Sequence, residues 1–284
     1  MTVLLISLFI GIAVGVLSGM LGLGGGMIMI PVFRLGYRMA AIQATATSLF
    51  AVVPISIAGM VTHVRNKTCY PRLGLMAGIG GAIMSPIGVH LASISPSWAI
   101  IVAAAAVIGY SSMTMLRKAM ALPKGSEGEK SDVRADDAHV ATADEMTEPE
   151  SGESSAKIEY TARTMVIAFA IGMVAGLAGG FVGVGGGFIM IPLFMTLFGT
   201  PMKMTSGTSL FAICILGVPG VIEQLALGNV MVGTGIAMVV GAIPGAVLGA
   251  NLMRRLPERL LRFVFAGMLG FAAIMLIVNE FWVV

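Results

Sequence analysis

The chain has 284 residues, of which 57% are hydrophobic and 11% charged, with a formal net charge of +3 and a mean hydropathy of +0.96. A soluble globular domain carries about 25% charged residues, so this composition excludes one. The apolar stretches are continuous rather than alternating, which excludes a transmembrane β-barrel and leaves an all-α, polytopic helical membrane protein.

Taken in chain order, the apolar segments are 2–21, 27–36, 40–62, 73–92 and 97–116, then 164–182, 188–198, 206–226, 230–253 and 260–279. The opening MTVLLISLFIGIAVGVLSG lacks a basic flank and continues as membrane sequence, so it is expected to be a first span rather than a cleaved signal. Between the fifth and sixth segments lies an acidic stretch rich in Ser, Glu and Asp. Residues 123–160 hold 11 of the 14 acids and 4 of the 17 bases. This stretch has too little apolar surface to offset its ordering entropy and is expected to be a disordered cytoplasmic linker. The expected division is therefore a first transmembrane repeat at 1–122, a linker at 123–160 and a second repeat at 161–284. The remaining 3 acids against 13 bases give an excess of positive charge that both an anionic solute and ordinary topology signals produce.

The two flanking parts are related. Aligning residue n with n+161 over positions 11–63 gives 18 identities in 53 pairs without a gap. GMLGLGGGMIMIP at 19–31 returns as GFVGVGGGFIMIP at 180–192, and TSLFA at 47–51 returns at 208–212. Apolar bias alone does not align glycines, prolines and hydroxyls, so the chain is internally duplicated. The basic loop 63–72 corresponds to an uncharged loop near 225–229, while the uncharged loop 90–97 corresponds to 254–262 with four arginines. If basic loops face the cytoplasm, the repeats are inverted. Arg117, Lys118 and Arg163 then hold the linker on the cytoplasmic side, whereas Arg34 and Arg38 run against the scheme.

The segments after each glycine cluster are about ten residues, roughly 15 Å or half a bilayer. The clusters are therefore expected to join a full helix to a half-helix in broken or re-entrant fashion. Non-helical backbone at that depth must be buried in protein or line a wet cavity. Inverted repeats would bring the two loops together near the midplane, where secondary transporters bind substrate. The half-helices should begin near Met27 and Phe188, with free N–H groups aimed at an oxyanion. The expected substrate-binding residues are Gly22, Gly24, Gly25 and Gly26 with Gly183, Gly185, Gly186 and Gly187. The hydroxyls Thr45, Thr47, Ser48, Ser206, Thr208 and Ser209 are expected to add donors without fixed charge, although such hydroxyls also bond their own helix backbone. Gly11, Gly15 and Gly19 fit helix packing.

Other readings are weaker. GLGGG lacks the strand before and the G-K-[ST] after it that a nucleotide loop needs. The 23 methionines are scattered and mark no copper path. Cys69 and Cys214 form no disulfide framework. No metal, cofactor or nucleic acid is expected, and no nucleophile–base pair points to an enzyme. His63 and Glu223 are candidates for a gate or proton relay, against the blander expectation of solvated loop-edge residues. Trp98 and Trp282 fit interface anchors.

These features resemble the TauE/SafE family, also called the sulfite exporter or toluene-sulfonate permease family. The residues that carry the resemblance are GVLSGMLGLGGGMIMIP (15–31), ATATSLF (44–50) and IAGMVTHVRNK (57–67), with their second-half copies. The resemblance implies a multi-pass inner (plasma) membrane protein of two related halves that moves small sulfur-containing anions such as sulfite or sulfonates. A secondary exporter is the leading expectation. A passive anion channel, a transporter of another small organic anion, or a membrane scaffold working through its linker are the alternatives.

Overall fold

The computed structural model describes residues 2–120 and 161–282; the expected linker, with His139, lies outside them. All regular structure among the described residues is helical. In the first half the helices are α1 (Thr2–Leu21), α2 (Gly26–Pro31), α3 (Ala41–Arg65), α4 (Pro71–Ile94) and α5 (Ser97–Met120). In the second they are α6 (Ala162–Val182), α7 (Gly187–Leu197), α8 (Met202–Ala226), α9 (Val232–Met253) and α10 (Glu258–Trp282). Each expected apolar segment is a helix, and the half-helices begin within one residue of expectation. After α2 the chain continues as a π-helical segment, Val32–Gly36. Pro31 has no N–H for the carbonyl four residues back, and the wider π winding begins at the next residue.

Among the described residues six helices are long and apolar enough to cross a membrane: α3, α4, α6, α8, α9 and the Trp98–Arg117 stretch of α5. Their outward faces carry large apolar side chains, such as Ile83, Ile87 and Leu91 on α4 and Ile236, Val240 and Val247 on α9. Such a surface suits a solvent of lipid tails. Trp98 is exposed at the start of α5, as expected of an anchor, while the side chain of Trp282 lies outside the description.

The packing mixes the halves. α1 lies on α9 and α6 on α4; α3 lies on α9 and α8 on α4; α3 crosses α8, and α5 pairs with α10. Exchanging the halves turns this set of contacts into itself. The α1–α9 and α4–α6 pairs run parallel and touch through backbone. A Cβ on Gly15 would stand 2.1 Å from Ala242 O, one on Gly19 2.1 Å from Ala246 O, and one on Gly172 1.9 Å from Ala77 O. Glycine at these positions lets the main chains meet, the packing expected for Gly11, Gly15 and Gly19 and typical of helix association in lipid. α3 and α8 instead run antiparallel, with Gly59 against Leu210 and Gly220 against Leu49.

The n to n+161 correspondence extends to backbone detail. Gly199 and Gly228 are left-handed at φ 63° and 70°, and their first-half counterparts Arg38 and Lys67 take the same region at 53° and 54°. The fold keeps these two turns even where the sequence does not supply glycine. Cross-half bonds repeat as well: Tyr70 N donates to Thr208 Oγ1 at 2.9 Å, and Met231 N donates to Thr47 Oγ1 at 3.0 Å.

Candidate functional site: two glycine turns in contact

α1 ends at Leu21 because Gly22 turns left-handed, at φ 77°, after its N–H closes the last helical bond to Ser18 O at 2.8 Å. Gly24 and Gly25 follow at φ 75° and 85°. The second turn repeats this with Gly183, Gly185 and Gly186 at 77°, 85° and 77°. Three left-handed residues in five, twice over, are why the motif needs glycine: a Cβ would collide with its own backbone. Gly26 and Gly187 are needed for another reason, the approach of the two turns. A Cβ on Gly26 would stand 2.8 Å from Val184 Cα, and one on Gly187 2.7 Å from Gly22 O. Val52 of α3 and Ile213 of α8 each touch both Gly24 and Gly185. Each is the twelfth residue of a 25-residue helix, so the turns meet at the middle of the crossing.

Backbone donors are concentrated here. Bonding resumes only at Ile28 N and Met29 N, both to Gly25 O, and at Ile189 N and Met190 N, both to Gly186 O. The intervening amides of Leu23 to Met27 and of Val184 to Phe188 donate to no acceptor among the described residues. These residues are buried. A buried, unpaired N–H costs about 1–3 kcal/mol, so five in a row on each of two touching turns is an arrangement that structure alone does not favour. Its electrostatic sense is positive, which suits an anion.

Each hydroxyl run lies against the turn of the other half. Ser206 backs Gly22, and Thr45 backs Gly183. Most of these hydroxyl protons are used inside the protein. Thr45 Oγ1 donates to Ile42 O at 2.9 Å, Ser206 Oγ to Met202 O at 3.0 Å and Thr208 Oγ1 to Met204 O at 2.8 Å. Ser209 Oγ reaches Gly22 O at 2.7 Å and Ser48 Oγ reaches Gly26 O at 3.2 Å. The last two are informative, because both tie carbonyls of the first turn to the crossing helices. Ser48 and Ser209 thus fix the first turn, and the free donors that the turns themselves supply are their amides.

His63 differs from the solvated loop-edge expectation. It is 0% exposed, held between α1 and the α3–α4 loop. Its Nε2 lies 2.9 Å from Gly19 O, which only accepts, so Nε2 carries the proton. Nδ1 then accepts from Thr68 Oγ1 at 2.8 Å. The second-half counterpart uses an amide pair, with Asn229 Nδ2 donating to Gln224 Oε1 at 2.9 Å. His63 packs beside Gly207, near the start of α8, whereas Glu223 stands near its end, half-buried, with Oε2 unbonded. The two are at opposite ends of one helix and do not form a single relay. Among the described residues no group of His, Cys, Asp or Glu could hold a metal.

Two residues in the site were not singled out from the sequence. Ser18 and Ser56 are buried against the first turn with no hydrogen-bond partner. Their signal was a difference between the repeats, Ser18 against Gly179 and Ser56 against Gly217, in an alignment read for its identities.

Residues 7–276 match the family described as "Sulfite exporter TauE/SafE". The "Probable membrane transporter protein YunE" of Bacillus subtilis is 27% identical over 257 residues, covering 88% of each chain. The "Probable membrane transporter protein MJ0441" of Methanocaldococcus jannaschii is 21% identical across 93% of this chain and 91% of its own. The "Sulfite exporter TauE/SafE family protein 3" of Arabidopsis thaliana is 34% identical over 122 residues, which are 41% of this chain and 25% of that one. No solved structure matches the chain. Paired glycine turns between lipid-facing helices, with a family match across nearly the whole length, make this chain a member of the TauE/SafE family of multi-pass membrane transporters.

Proposed function

We propose that the chain is a secondary transporter that exports a small sulfur oxyanion, sulfite or an organosulfonate, by alternating access between two inverted repeats. Residues 1–122 and 161–284 are the repeats, joined by a cytoplasmic linker at 123–160. The observation that carries the reading is the pair of touching turns with five unpaired, buried amides each. Amides bind an oxyanion through charge-assisted hydrogen bonds yet add no full positive charge, so the ion is held and can still leave. Gly22, Gly24–Gly26, Gly183 and Gly185–Gly187 form the cradle. Thr45, Thr47, Ser48, Ser206, Thr208 and Ser209 hold it in shape. The antiparallel crossing of α3 and α8, equivalent helices of the two halves, supports inversion, because it relates the halves by a two-fold axis across the helices.

Burial of both turns favours a carrier over an open pore: no solute reaches the amides without movement. Efflux of a monovalent anion down a membrane potential yields about 2.3 kcal/mol per 100 mV, so export needs no coupled ion. The test is flux of radiolabelled sulfite and ethanesulfonate in proteoliposomes. Saturable flux stimulated by the same anion on the opposite side is expected. Flux without counter-stimulation would indicate a channel. Unaltered flux after Gly25→Leu with Gly186→Leu would remove the proposed site. Deleting 123–160 should leave flux nearly intact, and its loss would favour the scaffold reading.

A further inference from the structure

We propose that the two turns are not equivalent and that Ser18 and Ser56 make the first one the binding half, donating to an oxyanion seated on the Gly24–Gly25 turn. This rests on the transport reading above. Ser18 on α1 is 1% exposed and Ser56 on α3 is 0% exposed, and neither Oγ has a partner among the described residues. A serine inside a helix ordinarily returns its proton to a carbonyl three or four residues back, as Ser206 does here. These two do not. They flank the same turn from opposite helices: a Cβ on Gly24 would stand 3.2 Å from Ser56 Oγ, and one on Gly25 3.6 Å from Ser18 Oγ. Two free hydroxyls and five free amides therefore surround one left-handed turn whose carbonyls at Gly22 and Gly26 are already tied by Ser209 and Ser48.

The second turn has no such pair and no room for one. The counterpart of Ser18 is Gly179, where a Cβ would stand 2.6 Å from Gly186 N. The counterpart of Ser56 is Gly217, where it would stand 2.6 Å from Val53 Cγ2. The difference is thus built into the packing of α6 and α8. The groups offered at the first turn are mostly donors, two hydroxyls and five amides against the unbonded carbonyls of Leu23 and Gly24, and they come from several directions. The fitting ligand is a compact oxyanion with several acceptor oxygens, such as the three of sulfite or of a sulfonate head. A third buried, unpartnered hydroxyl, Ser85, points to Gly220 of α8 while its backbone packs on Gly180 of α6, so it lies off the first turn and serves as the control.

The experiment measures the concentration dependence of sulfite and ethanesulfonate flux in proteoliposomes for Ser18→Ala, Ser56→Ala, the double variant and Ser85→Ala, with thermal melting of each purified protein. Removing one hydroxyl that donates to the anion should raise the half-saturation concentration about tenfold. The double variant should raise it further with little change in melting temperature, and Ser85→Ala should leave it unchanged. The single variants, each lacking one oxygen atom, carry the test if the double variant fails to fold. Unchanged half-saturation in all of them, with wild-type flux saturable, would overturn the assignment and leave the transport reading standing. An equal rise with Ser85→Ala would also overturn it, by making the effect structural. No saturable wild-type flux of either anion would remove the transport reading and this inference together.

Discussion

The two glycine turns share a backbone and differ in what surrounds it. Gly186 packs against main chain: a Cβ there would meet Ala175 O at 2.4 Å. Gly25 packs against side chains, with Val14 Cγ1 at 3.0 Å and the Ser18 side chain beyond it. At this position the second turn closes down to backbone contact, and the first turn meets the side chains of Val14 and Ser18 in its place. A duplicated fold can thus keep one copy for rigidity and furnish the other with polar groups. The helix ends diverge in the same way: His63 locks α3 to α1 through Gly19 O, while the corresponding Gln224 bonds with Asn229 in its own loop.

The largest expected effect separates the turns directly. Gly186→Ala should cost about 2–4 kcal/mol, because backbone cannot yield to the new methyl, while Gly25→Ala should cost about 1–2 kcal/mol, mostly left-handed strain. Thermal melting of the detergent-solubilised proteins distinguishes them, and equal losses would contradict the difference in packing. Next comes His63→Ala, which strips Gly19 O of its donor and opens a buried space, at about 2–4 kcal/mol. Gln224→Ala should lose less than half of that by the same assay, and His63→Gln should recover part of the loss.

Much of this was legible in the sequence because it depends on local chemistry. Continuous apolar runs set the ten helices, and the triplets Gly24–Gly26 and Gly185–Gly187 set the breaks, since a helix does not survive three glycines and a left-handed turn wants them. The contact between the turns followed from the duplication. The partners of individual hydroxyls did not, because a serine proton goes wherever packing brings an acceptor. Ser48 and Ser209 are equivalent in sequence, yet both reach the first turn. His63 looked peripheral from its place near the end of a span, but burial there depends on how α1 and the loop at Thr68 close over it, which no local pattern encodes.

Smaller effects sharpen the comparison at the surface. Lys67→Gly and Arg38→Gly import the glycines of the second half at left-handed positions, and each should stabilise by up to about 1 kcal/mol, read as a higher melting temperature. A decrease would mean that the side chains hold contacts worth more than the strain. The smallest effect concerns Cys69, whose counterpart is Val230. Burial pushes its thiol up to about 11 from 9.0. A folded-state value above the unfolded one favours the neutral thiol, so this contribution to stability is complete below about pH 9 and fades as pH rises toward 11. Maleimide labelling of the folded protein should be slow at pH 7 and accelerate toward pH 11, whereas fast labelling at pH 7 would show that the site opens.

The glycine seams joining α1 to α9 and α4 to α6 constrain any working motion. Each seam welds a helix of one repeat to a helix of the other at main-chain distance, so the repeats cannot swing apart as two blocks without tearing both. Under the alternating-access mechanism proposed above, the natural rigid pieces are the welded pairs, each of mixed parentage, and a passage to either side of the bilayer would open by these pairs tilting against the central α3–α8 cross.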